Sequence, residues 1–258
     1  MKNGKKPEEI FDPELVRQAQ EKNPFEKIST IVYGILENAI LTSALRPGFK
    51  LNVTKIAASL EVSATPVREA VEQLSGKGLV TVEQKGDGKY SNYHVFDITN
   101  ESIQNLFIAR KSIEGTAAFL CAEKNWRVDL SEMGRLAEVF QRTLKGFVDS
   151  GDETPDVSVT AELDRQFHQL LVDSTSNDFL INMYATIGKQ LEYLSIRTNQ
   201  FLVGENPDNL LLLGSQHIAI YRAVKFGFPQ LARSCMDEHI DFCMSSCLQN
   251  RNLATGRQ

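Results

Sequence analysis

Residues 62–70 read Val62-Ser63-Ala64-Thr65-Pro66-Val67-Arg68-Glu69-Ala70. A hydroxyl residue shortly before a proline marks a helix start. Ser63 or Thr65 can take the cap, and Pro66 is tolerated in the first turn because its missing N–H would have had no partner there. Ser75-Gly76-Lys77-Gly78 stops this helix. Upstream, a brief Glu61-Val62 turn separates it from a short helix, capped by Asn52 or Thr54, that turns Ile56, Ala57 and Leu60 inward. Before that, a helix over 28–41 with Ile31, Ile35, Leu36, Ala39 and Ile40 on one side ends at the turn Leu45-Arg46-Pro47-Gly48. Downstream, Leu79-Val80-Thr81-Val82 alternates like a strand, the Gly86-Asp87-Gly88 region turns, and Tyr93-His94-Val95-Phe96 returns. Three helices followed by a β-hairpin predict a winged helix-turn-helix.

The rest of the chain reads differently. Residues 1–24 form a polar arm with a short helix over 13–21, and the second half has no comparable strand signal. Helical patterns run over 100–124, 127–149, 157–174, 177–203, 208–226 and 228–250, with an acidic, proline-bearing stretch at 149–156. The expectation is a mainly α protein with four segments: an N-terminal arm (1–24), a winged helix-turn-helix (25–97), an all-α antiparallel helical bundle (98–250) and a tail (251–258). A length of 258 residues suits two domains, each able to bury its own core.

No apolar run approaches the ~20 residues of a membrane span, so no membrane partner is expected. The first 21 residues are polar and charged, without a signal-peptide core, which points to a cytoplasmic protein. The net charge of −5 gives no basic coat for nucleic acid, and residues 25–97 balance eight lysines and arginines against eight acidic residues. Any DNA binding must therefore come from where the positive charges sit. The four cysteines show no Cys-x-x-Cys pairing. Cys243 and Cys247 lie one helical turn apart and read as buried free thiols before they read as a metal or redox pair.

In a helix-turn-helix the start of the second motif helix enters the major groove. The candidates for contact with double-stranded DNA are Ser63, Thr65 and Arg68 there, Thr54 at the start of the preceding helix, and Lys85 and Lys89 on the wing. Arg68 can pair bidentately with guanine, and the hydroxyls suit phosphates. The competing use of the motif is packing or dimerisation alone, with Arg68 paired to Glu72.

Three of the four histidines, His168, His217 and His239, fall in the helical half. Asp164 precedes His168 by four residues, so the two share one helix face. Converging on each other, one carboxylate and three imidazoles would suit a divalent metal such as zinc, nickel, iron or manganese. Taken singly, each histidine is an ordinary core or surface residue, and spacing does not say whether three helices meet.

The ordered run Leu45-Arg46-Pro47-Gly48, Ile56-Ala57, Val62 to Ala70, Leu74 and Gly78-Leu79-Val80 closely resembles the GntR family of bacterial regulators. That resemblance implies a homodimer on a palindromic or near-palindromic operator. Two features depart from the family pattern: Ala64 stands where a second arginine is usual, and the wing over 83–93 is longer and more polar. In the second half, Asp164-x-x-x-Phe167-His168, Asn177, Phe179-Leu180, Gln216-His217-Ile218, Ala232 and His239 match the FCD ligand-binding domain of the FadR-type branch, as does the opening Arg110-x-x-x-Glu114 with Ala117-Ala118. Phe228 departs from the acidic residue common after the glycine. The resemblance implies that Asp164, His168, His217 and His239 ligate a divalent metal, most simply zinc.

A six-coordinate metal with four protein ligands keeps positions for a small carboxylic-acid effector. Arg110 and Arg197 are the candidate arginines for that effector. Effector binding would then alter operator affinity. Two alternatives remain open: a purely structural metal tying helices together, and a metal-dependent hydrolase. Against the hydrolase, and for a protein that is not an enzyme, no general base or nucleophile pattern falls within the motifs.

Overall fold

The computed structural model describes residues 10–42, 44–85, 90–96, 99–151, 156–205 and 207–255. The chain divides into two units, Met1–Ile98 and Thr99–Gln258.

The first unit begins with α1 (Pro13–Lys22), started by Asp12, whose carboxylate accepts the Glu14 N–H at 2.9 Å. Phe11 and Val16 are buried and hold this helix in place. Next come α2 (Ile28–Leu41), β1 (Lys50–Leu51), α3 (Val53–Ser59), α4 (Ala64–Gly76), β2 (Val80–Lys85) and β3 (Tyr90–Val95). The core is built from Val32, Leu36 and Ile40 of α2, Ile56 of α3, and Val67, Val71 and Leu74 of α4.

Asn52 caps α3 by accepting the Lys55 N–H at 3.0 Å, as one of the two expected caps. Ser63 holds the N-cap position of α4 but makes no side-chain capping bond. Between the two helices the Val62 N–H reaches Ala57 O and the Glu61 N–H reaches Ala58 O, with Glu61 at φ 53. These paired bonds and the left-handed residue form a Schellman ending, which turns the chain sharply into α4. The left-handed region is usually taken by glycine; here a glutamate occupies it.

The sheet has three antiparallel strands in the order β1-β3-β2. The expected hairpin is present, with longer strands than the alternation suggested. The two-residue β1 was not foreseen; it pairs Lys50 with His94 and Leu51 with Tyr93. Gly48, at φ 74, bends the chain into it, and its N–H bonds Val95 O at 3.0 Å.

The second unit is all-helical apart from short connections: α5 (Asn100–Glu123), a 3-10 turn (Asn125–Arg127), α6 (Leu130–Ser150), α7 (Ser158–Ser174), α8 (Asp178–Glu205), α9 (Pro207–Lys225) and α10 (Pro229–Thr255). The last helix runs on past 250, where the sequence reading ends it. A reciprocal Thr99–Ser102 capping box starts α5, and Asp129 caps α6. Helix α5 packs on α7 and α10, α6 packs on α7 and α9, and α8 packs on α7 and α10. Among the described residues no helix is long and apolar enough to cross a membrane.

Helices α6 and α9 approach closely at Gly214. A Cβ there would lie 3.0 Å from Gln141 Cα, a backbone atom that cannot swing away. Gly214→Ala is therefore expected to destabilise the protein by about 1–3 kcal/mol through overpacking, read as a lower thermal midpoint. An unchanged midpoint would mean that α6 and α9 separate without loss.

Candidate functional site

Asp164 and His168 project from one face of α7, one turn apart. His217 comes from the middle of α9, and His239 from α10. All four are buried, and one donor atom from each lies within 4.8 Å of all the others. The Asp164 Oδ1 atom is 3.2 Å from His217 Nε2 and 3.5 Å from His168 Nε2. The three helices that spacing alone did not join do meet here.

The δ-nitrogens explain how the rings are aimed. His217 Nδ1 lies 3.1 Å from the Leu213 carbonyl, which can only accept, so that nitrogen carries the proton. His239 Nδ1 faces Gln216 Oε1 at 3.2 Å. His168 Nδ1 sits 2.6 Å from Glu114 Oε2. His217 and His239 thus spend their δ-nitrogens on hydrogen-bond partners outside the cluster, while His168 Nδ1 faces the Glu114 carboxylate as a charge pair without hydrogen-bond geometry, and the ε-nitrogens turn to the centre. Metal-binding histidines are typically oriented in this way. The rings also wedge against Phe140 and Phe167, with centroids 4.4 and 4.7 Å from that of His217.

Inside the cluster the partners run out. His168 Nε2 and His217 Nε2 are buried and have no hydrogen-bond partner despite the nearby carboxylate, and beside them the His168 Nδ1 and Glu114 Oε2 atoms are likewise unpaired. A buried polar atom left unpaired costs about 1–3 kcal/mol. Nitrogen and oxygen lone pairs aimed at a common point satisfy one another only through a cation. The residues present therefore fit a divalent metal, with two imidazoles and an Asp/His pair as donors.

Glu114, on α5, is wholly buried and joins two systems. Its Oε1 accepts from Arg110 Nε at 2.8 Å, while Oε2 meets His168. Burial alone would raise the Glu114 carboxyl, but Arg110 and His168 overcome it and hold the group ionised. Asp164 shows the same balance more strongly: burial opposes its charge, and His168 and His217 bring it well below the usual range. Its Oδ2 also accepts from Ser195 Oγ at 3.1 Å. Burial pushes His239 and His217 down, whereas Glu114 outweighs burial at His168 and raises it.

A cavity of about 20 Å³ adjoins the cluster. Its lining includes Arg110, Asp164, Ser195, Thr198 and Asn199. Of the two candidate arginines, only Arg110 is placed there. Arg197 is half-buried on a different face of α8, because 194, 195, 198 and 199 share the inward stripe and 197 does not. Sequence reasoning passed over Ser195 and Gln216 as contributors. Glu114 it met only as part of a motif.

In the first unit Thr54, Ser63, Thr65 and Arg68 are all exposed, near the starts of α3 and α4. The Ser63 hydroxyl is not consumed by capping. Lys85 ends β2, with its side chain outside the description, and Lys89 lies outside the described residues.

A helix-turn-helix with a short sheet, followed by an all-helical domain enclosing a buried Asp/His donor cluster, is the layout of a two-domain transcription regulator. The family models agree. Residues 28–87 match the bacterial regulatory proteins of the gntR family, and residues 105–242 match the FCD domain. The chain belongs to the GntR family of regulators and carries an FCD domain. It is 29% identical over 213 residues to the HTH-type transcriptional regulator LutR of Bacillus subtilis, covering 78% of this chain and 92% of that protein. It is 24% identical over 238 residues to the transcriptional repressor RspR of Escherichia coli, covering 89% of this chain and 92% of that one. Among solved structures, Escherichia coli McbR/YncC superposes with a TM-score of 0.64 at 21% identity, over 88% of this chain and 100% of that one. A GntR regulator from Rhodococcus sp. RHA1 gives 0.60 at 21% identity, over 86% and 97%. These families and relatives are regulators, not enzymes, which removes the hydrolase alternative.

The histidine environments carry a pH signature in chelator-treated protein. His217 and His239 have folded values depressed below the ordinary 6.5, so their contribution is present above that value and lost as pH falls through it. His168 is raised and acts oppositely, contributing below 6.5 and losing that contribution as pH rises. Two groups oppose one. The thermal midpoint is expected to drop between about pH 7 and about pH 5; a rise over that window would show that proton uptake at His168 dominates.

Proposed function

We propose that this regulator senses a small organic acid at a divalent-metal centre formed by Asp164, His168, His217 and His239, and that binding there modulates its grip on a palindromic operator as a cytoplasmic homodimer. The observation that carries the reading is the set of ε-nitrogens turned inward, two of them buried without a partner. Zinc suits a donor set of three imidazoles and a carboxylate. When bound, the ion supplies a Lewis-acid anchor for an effector carboxylate.

Arg110 is the protein's own contribution to that recognition. One guanidinium nitrogen is committed to Glu114, and the fork carries further N–H donors for a second carboxylate. Ser195, Thr198 and Asn199 add polar groups suited to a hydroxyl on the effector. As it stands the cavity has room for about one water. An acid of several heavy atoms enters only if α5, α8 or α10 gives way. Helix α5 follows the DNA-binding unit in sequence and holds both Arg110 and Glu114, so such a displacement has a route along the chain. A coupling of about 1–3 kcal/mol is typical of such switches.

At the DNA end, Arg68 is the base reader, and Thr54, Ser63 and Thr65 are phosphate contacts. Lys85 and Lys89 track the backbone from the wing. Arg68→Ala is expected to weaken operator binding by about 1–3 kcal/mol and relax specificity at one base pair, measured by fluorescence anisotropy. Full affinity in the variant would remove Arg68 from the reading.

A thermal-shift screen of small carboxylic and hydroxy acids tests the sensor. Hits are expected to raise the midpoint of zinc-loaded wild type, and to fail after chelation or in Asp164→Ala. A hit indifferent to both would make any metal a structural tie and move recognition to Arg110.

A further inference from the structure

One side chain beside the centre has no part in the Asp-and-three-His set. Cys243 lies one turn beyond His239 on α10, the same spacing that puts Asp164 and His168 on one face of α7. Its Sγ is 3.7 Å from His239 Nε2, the nitrogen that faces the cluster. The thiol is buried and lines the same small cavity as Asp164 and Arg110. Cys247, one turn further, also lines the cavity but is engaged elsewhere, with Thr198 Oγ1 at 2.8 Å from its sulfur.

We infer that Cys243 is a fifth protein donor to this centre, making it a mixed nitrogen, oxygen and sulfur site held by two one-turn chelating pairs and His217. The inference rests on the metal-centre reading above and specifies it for this chain. The sulfur stands outside the group of four whose donor atoms lie within 4.8 Å of one another. A zinc–sulfur bond of about 2.3 Å is longer than a zinc–nitrogen bond of about 2.0 Å, so a sulfur donor stands further out than nitrogen and oxygen donors do. On ligation the thiol proton leaves to solvent and the sulfur–metal bond replaces the S–H bond, with no change of oxidation state. A thiolate biases the site toward zinc or cobalt and against manganese or magnesium. It also means that an effector carboxylate competes with a protein ligand as well as with water.

Cobalt provides the test, because it reports its own ligands. Chelator-treated full-length protein is loaded with Co²⁺ and its absorption recorded. The wild type is expected to show visible d–d bands together with a near-ultraviolet sulfur-to-cobalt charge-transfer band. Cys243→Ser is expected to lose the charge-transfer band and keep the d–d bands; Cys247→Ser is expected to keep both. Wild-type d–d bands without charge transfer overturn the thiolate while leaving the four-residue centre standing, and that spectrum decides even if the variant fails to fold. A charge-transfer band that survives Cys243→Ser also overturns it. No cobalt uptake at all removes the metal centre, and the thiolate with it.

Discussion

The bundle is organised around a frustration: three imidazoles and a carboxylate are taken out of water and aimed at one another, and the His168 and His217 ε-nitrogens are left without a hydrogen-bond partner. Three helices widely separated in sequence must be held in register for this to happen. The holding is done from outside the cluster. Leu213 O fixes His217, Gln216 fixes His239, and Glu114 fixes His168. The close α6–α9 contact at Gly214, one turn from His217, sets the depth at which that ring enters. Phe140 and Phe167 then leave His217 little freedom to rotate.

Charge follows from the same arrangement. Arg110 is positive, Glu114 and Asp164 are held ionised, and His217 and His239 are kept neutral by burial. His168 is raised by Glu114 and its proton leaves the group neutral overall; giving up that proton to a metal leaves one net negative charge. A divalent cation would turn that into one positive charge, which an effector monocarboxylate balances and a neutral sugar does not. Buried charges persist only when paired, so under the proposed metal-centre reading this balance would favour an anionic ligand. A fifth, thiolate donor would shift the balance to neutral and make release of that sulfur part of anion binding.

The helices were legible because each carries several turns of periodic pattern. The expected 28–41 helix coincides with α2, and the six patterns of the second half all appear as helices. What stayed hidden has short range or long range. Strand β1 is only two residues long, too short to alternate, and it exists because β3 offers an edge to Lys50 and Leu51. Glu61 in a left-handed conformation violates the local preference that makes glycine predictable in such turns. In the site, the Asp164–His168 spacing was visible, but the meeting of α7, α9 and α10 came only from resemblance to a family. Glu114 could be seen four residues after Arg110, while its second partner lies in another helix. Arg197 lies away from the cavity lining for the converse reason: being on the right helix says nothing about being on the right face.

Arg110 and Glu114 give the sensing domain a way to register a ligand without rebuilding its core. Their ion pair is buried, so it is strong only while neither partner has a better offer. In the proposed reading, a carboxylate in the adjoining cavity would compete with Glu114 for Arg110, and Glu114 faces His168. Any change in one bond is therefore felt at the other along a single turn of α5. Helix α5 is itself packed extensively on α10, and it brings Arg110 and Glu114 to the edge of the donor cluster.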